Sequence, residues 1–186
     1  MRLFLAIDLP SPVRAAVAAL EERLRRDGHG WRWVRPEGIH LTLRFLGEVS
    51  PVDDARQRES WRRAVAGHPR FRFRVGGVGA FPAASRPRVL WVGVAESSPA
   101  PVMVPLAAAL ESAARELGFE AEERPFRAHL TLARAQREGR PSAPGLADVV
   151  IATDVPAEEV VLFRSELHPD GARYSRLEAF PLGGVP

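Results

Sequence analysis

The sequence predicts an α+β protein built by duplication, a bilobal fold in which two antiparallel sheets face a central cleft with helices on the outside. Three observations carry this reading. The string His-Leu-Thr-Leu occurs at His40-Leu41-Thr42-Leu43 and again at His129-Leu130-Thr131-Leu132, separated by nearly half of the 186 residues. Each copy lies in a segment of strand character, and each half carries a helical segment near it. Side chains on a strand alternate faces, so each copy presents His and Thr on one side and two leucines on the other. An apolar face toward a core and an ionisable face toward a cleft therefore occur twice, and residues 1–186 read as one domain of two pseudo-symmetric lobes.

The elements follow in chain order. Arg2 to Ile7 is a buried strand, and Ser11 before Pro12 supplies an N-cap with proline at the first helical position. That helix runs to about Arg26, where Asp27-Gly28-His29-Gly30 stops it through a left-handed glycine. Trp31–Val34 and Ile39–Leu46 are strands, the second holding the first repeat. Ser50-Pro51 opens a helix to about Ala66, and Arg70–Val75 alternates arginine with Phe71, Phe73 and Val75 as a half-buried strand. Gly76-Gly77-Val78-Gly79 lacks the lysine and the following helix of a phosphate loop, so it reads as a loop or bulge. Val89–Val94 is a strand, Val102–Leu117 a helix ended by Gly118, and Arg127–Arg134 the strand of the second repeat. Arg137–Pro144 is linker-like, and Glu159–Leu167 with Arg173–Leu182 forms a hairpin about Pro169-Asp170-Gly171.

Composition removes whole classes of chemistry. All 26 basic residues are arginine, and cysteine, lysine and asparagine are absent. Disulfides, thiolate nucleophiles, lysine Schiff bases and Walker-type lysines are thereby excluded. A net charge of +3 is too small for a polycation that coats nucleic acid, although arginines gathered at a cleft would bind phosphate bidentately. The apolar run Leu3–Ile7 is too short for a signal-peptide core. Ala100–Leu110 contains Pro101 and Pro105 and falls short of the roughly 20 residues a bilayer span needs. A soluble cytoplasmic protein without membrane partners is expected.

Histidine, with an ordinary pKa near 6.5, gives and takes protons around neutrality. Two histidines on pseudo-symmetric strands suit in-line displacement at phosphorus, which removes a proton from the entering oxygen and delivers one to the departing oxygen. Thr42 and Thr131 add hydroxyl donors for the non-bridging oxygens. A zinc site is the main competitor, but neither repeat contains Asp or Glu, and no nucleophile elbow accompanies a serine triad. No metal and no cofactor are expected. His29, His68 and His168 lie in or beside loops and read as surface residues.

The chain resembles the 2H phosphoesterase superfamily, whose hallmark is a pair of His-x-Thr/Ser-x motifs, and within it the RNA 2′,3′-cyclic phosphodiesterase (2′-5′ RNA ligase, LigT-like) branch. The resemblance rests on Met1–Ile7, His40–Val49, Gly77–Pro82, Pro87–Val94, Pro125–Arg134 and Leu-x-x-x-Gly-x-x-Tyr from Leu167 to Tyr174. Ala128 departs from the proline usual before the second motif. The resemblance implies metal-independent opening of a terminal RNA 2′,3′-cyclic phosphate to a 2′-phosphate, with His40 as general acid, His129 as general base, and Thr42 and Thr131 on the phosphate. It also implies phosphate binding by Arg134, although strict alternation puts Ala133 on the His129 face, so that a bulge or a strand end is required. By the same parity Arg44 shares the face of His40 and is a candidate for RNA backbone contact, while Phe45 reads as core. Trp33, Phe81 and Phe126 are candidate platforms for a base.

The expected partners are RNA 3′ ends bearing 2′,3′-cyclic phosphate or small cyclic nucleotides, met by a monomer. Reversible 2′-5′ joining of RNA ends through the same site stays open. So does an RNA-end binding module without turnover, which loss of either histidine would distinguish from an enzyme.

Overall fold

The computed structural model describes residues 1–49, 55–97, 100–136, 141, 150–168 and 171–183. Along the chain run β1 (Arg2–Ile7), α1 (Ser11–Asp27), β2 (Trp31–Trp33), a 3-10 turn (Pro36–Gly38), β3 (Leu41–Glu48), α2 (Ala55–Ala66) and β4 (Phe71–Phe81). β5 (Val89–Glu96), α3 (Met103–Glu116), β6 (His129–Ala135), β7 (Val150–Ala157), β8 (Glu159–His168) and β9 (Gly171–Pro181) follow. The Ser50-Pro51 helix start, most of the Arg137–Pro144 stretch, and Pro169 and Asp170 of the hairpin turn lie outside the described residues.

Every described strand pairing is antiparallel, in the order β7-β4-β5-β6-β3-β1-β8-β9, with β2 added on β6. The two expected sheets meet at one residue pair, Leu41 opposite Leu130, on the two motif strands. One half-sheet, β3-β1-β8-β9, comes from both ends of the chain; the other, β7-β4-β5-β6, comes from its middle. The duplication is visible as strand, helix, motif strand: β1-α1-β3 and β5-α3-β6, with Ala6 opposite Thr42 and Trp91 opposite Thr131. α1 packs against β7 and α3 against β3, so each helix reaches the other half-sheet.

Leu41, Leu43, Leu130 and Leu132 are buried in one cluster with Leu20 of α1, Trp61 of α2 and Leu106 and Leu110 of α3. Each such side chain contributes roughly 1.5–3 kcal/mol by leaving water. The helices thus cover the leucine side of the motif strands, leaving the other side for the cleft.

Several local expectations are corrected. α1 begins at Ser11 itself after Pro10, without a side-chain cap, and Gly28 is extended (φ −110°), the left-handed glycine being Gly30 (φ 77°). For Gly76 to Gly79, expected as a loop or bulge, the bulge holds: the four residues are part of β4, bulged at Gly77 (φ 71°). Gly79 leaves room for the Trp91 ring, whose Cζ2 would stand 2.1 Å from a Cβ there. β7 was not expected, because Pro156 and the absence of clean alternation obscure it. Among the described strands it pairs only with β4, at the sheet edge, where proline is tolerated.

Candidate active site

A cleft of about 380 Å³ opens beside the motif strands, lined by His40 and Thr42 from the first repeat and Thr131 and Arg134 from the second. Phe4, Ser165 and Tyr174, from β1, β8 and β9, also line it. Among the described residues its lining holds Arg2, Arg32, Arg35 and Arg134 but no Asp or Glu. His129 begins β6 two residues before Thr131 and is not itself part of that lining; its ring stands edge-on to Phe81, with centroids 5.1 Å apart.

Both motif histidines are held alike. His40 Nδ1 donates to the Gly38 carbonyl at 2.8 Å, and His129 Nδ1 donates to the Arg127 carbonyl at 2.6 Å. A carbonyl only accepts, so Nδ1 carries the proton and Nε2 is the nitrogen left for chemistry. Gly38 is needed for this: a Cβ there would come within 2.8 Å of the Tyr174 ring.

The surroundings differ. His40 stacks on Phe4, centroids 4.5 Å apart, and meets the edge of Tyr174 at 5.1 Å. Burial is the main cause that pulls its pKa down to about 4; the Gly38 bond and the Asp8 charge oppose this, and Arg134 and Arg14 add to it. Burial also lowers the His129 pKa, again opposed by its carbonyl bond and reinforced by Arg134. The charge of Arg134 thus acts on both histidines. Burial raises the Tyr174 pKa, keeping its hydroxyl protonated.

The backbone explains where the arginines go. Opposite β5, pairing jumps from Leu90–Ala133 to Trp91–Thr131, so β6 carries one extra residue at Leu132. Leu132 and Ala133 are both buried, and alternation resumes with Arg134 toward the cleft. β3 is bulged at the same place: pairing jumps from Leu5–Arg44 to Ala6–Thr42. Strict parity therefore fails for Arg44. It is 7% exposed, ion-paired to Glu111 of α3 and hydrogen-bonded to the Phe45 and Glu120 carbonyls, away from the cleft. Phe45, read as core, instead lines the cleft and is 46% exposed.

The candidate aromatics also separate. Trp33 borders the cleft but packs on the core with the Arg25 guanidinium 5.3 Å from its centroid. Phe81 meets His129, and Phe126 packs on the core. His29 and His168 are exposed and His68 is half-buried, but His168 also borders the cleft. Among the described residues no group of three His, Cys, Asp or Glu could hold a metal ion, and no helix is long and apolar enough to cross a membrane.

Residues 7–91 and 94–174 match the family model described as LigT like phosphoesterase. The chain belongs to the LigT-like phosphoesterase family. Among LigT-like relatives, the RNA 2′,3′-cyclic phosphodiesterase of Thermus thermophilus is 38% identical, the alignment covering 99% of this chain and 91% of the relative. The RNA 2′,3′-cyclic phosphodiesterase of Archaeoglobus fulgidus is 34% identical, with 97% and 99% covered. A crystal structure of a Thermus thermophilus protein superposes with a TM-score of 0.84 at 34% identity, covering 99% of both chains. LigT of E. coli complexed with 3′-AMP superposes with a TM-score of 0.74 at 27% identity, covering 97% of both.

Proposed function

We propose that this chain is an RNA 2′,3′-cyclic phosphodiesterase that hydrolyses a terminal 2′,3′-cyclic phosphate to a 2′-phosphomonoester without a metal, residues 1–186 acting as one two-lobed unit. The observation that carries the reading is the duplicated strand pair. Each repeat brings a His-x-Thr with Nδ1 tied to a carbonyl, and Arg134 acts electrostatically on both histidines. The names of the relatives supply the substrate class.

In this reading water attacks phosphorus as its proton passes to His129 Nε2. The bond from phosphorus to the 3′-oxygen breaks, and His40 Nε2–H gives that oxygen a proton. Thr42, Thr131 and Arg134 hold the non-bridging oxygens, where charge accumulates. In the free site His40 is neutral near pH 7, so the arriving phosphodiester anion has to favour its imidazolium, as Asp8 already does. Phe45, exposed at the cleft, offers its ring to the terminal base.

The strong lowering of the His40 pKa favours a second reading with the roles exchanged, His40 as base and His129 as acid. A cyclic substrate with sulfur at the 3′ position separates them, because a thiolate leaves without a proton. Rescue of His40→Ala alone identifies His40 as the acid; rescue of His129→Ala alone identifies His129. The reaction itself is tested with a short RNA ending in 2′,3′-cyclic phosphate in excess EDTA. A 2′-phosphate made by wild type and by neither alanine variant is the expected result. Turnover restored only by a divalent ion contradicts the metal-free step, and tight binding by all three proteins without turnover contradicts the enzyme.

A further inference from the structure

The central residue of β2, Arg32, lies directly opposite Arg134 across the β2–β6 pairing. Like charges facing each other across two strands destabilise a sheet. Both residues are exposed, both line the cleft, and neither has an ion pair or side-chain hydrogen bond among the described residues. This is not for want of carboxylates, since the chain has 23 Asp and Glu. Other strand arginines have found them: Arg2 with Glu48, Arg164 with Glu166, and Arg176 with Asp8 and Glu159. Arg35, also at the cleft, has a partner of its own. The uncompensated pair therefore lies on the wall of a cleft with no carboxylate in its lining among the described residues.

A cyclic phosphodiester carries one negative charge, enough to compensate one guanidinium. Arg134 is the nearer claimant, because it shares β6 with Thr131 and its charge reaches both histidines. Arg32 stands one strand further out, with its Cα about 5 Å from that of Arg134, as for any directly opposed antiparallel pair. We propose that Arg32 holds a second phosphate, the one on the 5′ side of the terminal nucleotide. The site then selects the end of an oligoribonucleotide over a mononucleoside 2′,3′-cyclic phosphate. This inference rests on the cyclic phosphodiesterase reading and deepens it.

The test compares kcat/KM of wild type, Arg32→Ala, Arg32→Gln and Arg32→Lys on a mononucleoside 2′,3′-cyclic phosphate and on a trinucleotide ending in the same group. Wild type is expected to prefer the trinucleotide. Arg32→Ala and Arg32→Gln lose about tenfold on it, mostly through KM, and less than about twofold on the mononucleotide. The salt dependence of the trinucleotide reaction becomes shallower by about 0.7 in the log–log slope, as for one lost contact to a single strand. Arg32→Lys recovers part of the loss. Equal losses on both substrates overturn the proposal, placing Arg32 at the reacting phosphate or in the fold, and no loss on either overturns it as well. Should wild type hydrolyse neither substrate, the enzymatic reading fails on its own. Binding of the two ligands by wild type and Arg32→Ala, followed by fluorescence anisotropy, then decides on Arg32: a loss confined to the trinucleotide supports it, and any other pattern overturns it.

Discussion

In the first repeat the bulge after Thr42 sends Arg44 into the core and Phe45 into the cleft; in the second the same bulge sends Ala133 into the core and Arg134 into the cleft. One backbone deformation thus serves two purposes. On the His40 side it delivers an apolar ring beside a histidine already walled by Phe4 and Tyr174. On the His129 side it delivers a cation beside a histidine that meets one aromatic edge, that of Phe81. Single residues at equivalent positions divide the labour between apolar contact and charge.

The comparison is broken most severely by removing what the halves share. His40→Ala and His129→Ala should each lower kcat by at least about 10² to 10⁴, measured on a cyclic-phosphate RNA. A large loss for only one of them would mean that a single half does the chemistry.

Removing the cation from the second half is next. Arg134→Ala should cost about 10² in kcat/KM and shift both limbs of its pH profile upward, because the arginine lowers both histidine pKa values. In the wild type both limbs of kcat/KM belong below 6.5, His40 being held at about 4, whereas those of kcat lie higher once the phosphate anion is bound. Limbs that stay in place in Arg134→Ala would dissolve the electrostatic link between the halves.

Arg44→Ala probes the opposite product of the bulge. Glu111 would lose its partner across the β3–α3 contact, at a cost of roughly 3 kcal/mol in unfolding free energy. Denaturant titration measures this, and the loss of the variant's activity should follow its loss of folded protein. A KM effect specific to RNA at full stability would return Arg44 to the binding surface. Smallest is Phe45→Ala, which removes one stacking face and should raise KM about tenfold with kcat unchanged. An unchanged KM would leave the terminal base without the platform proposed for it.

The fold class was legible, and the repeated motif stood out, because both leave periodic marks. Scarce residues recur in an identical string, and period-two alternation gives that string two faces. The hairpin and the α3 stop at Gly118 were legible through turn and cap chemistry. The places of Arg44 and Phe45 were illegible for one physical reason. Strict alternation holds only while a strand is regular, and here a bulge advances parity by one residue with no glycine or proline beside it to announce it. The bulge that turns Arg134 inward in the second string has its equal before Arg44 in the first. Ser165 was missed because it comes from β8, far along the chain from either repeat. Arg32 was hidden because its opposition to Arg134 is a fact of sheet pairing alone.

The wall around His40 also carries a statement about time. Phe4 and Tyr174, which hold that ring, belong to β1 and β9, the first and last of the described strands. A ribosome releases β1 well before β9, and folding begins as the chain emerges. The middle half-sheet can pair while β8 and β9 are still unmade, but the pocket that sets the proton affinity of His40 closes only with the β8–β9 hairpin. A chain synthesised only as far as β7 therefore carries both histidines and lacks the Tyr174 wall of one of them.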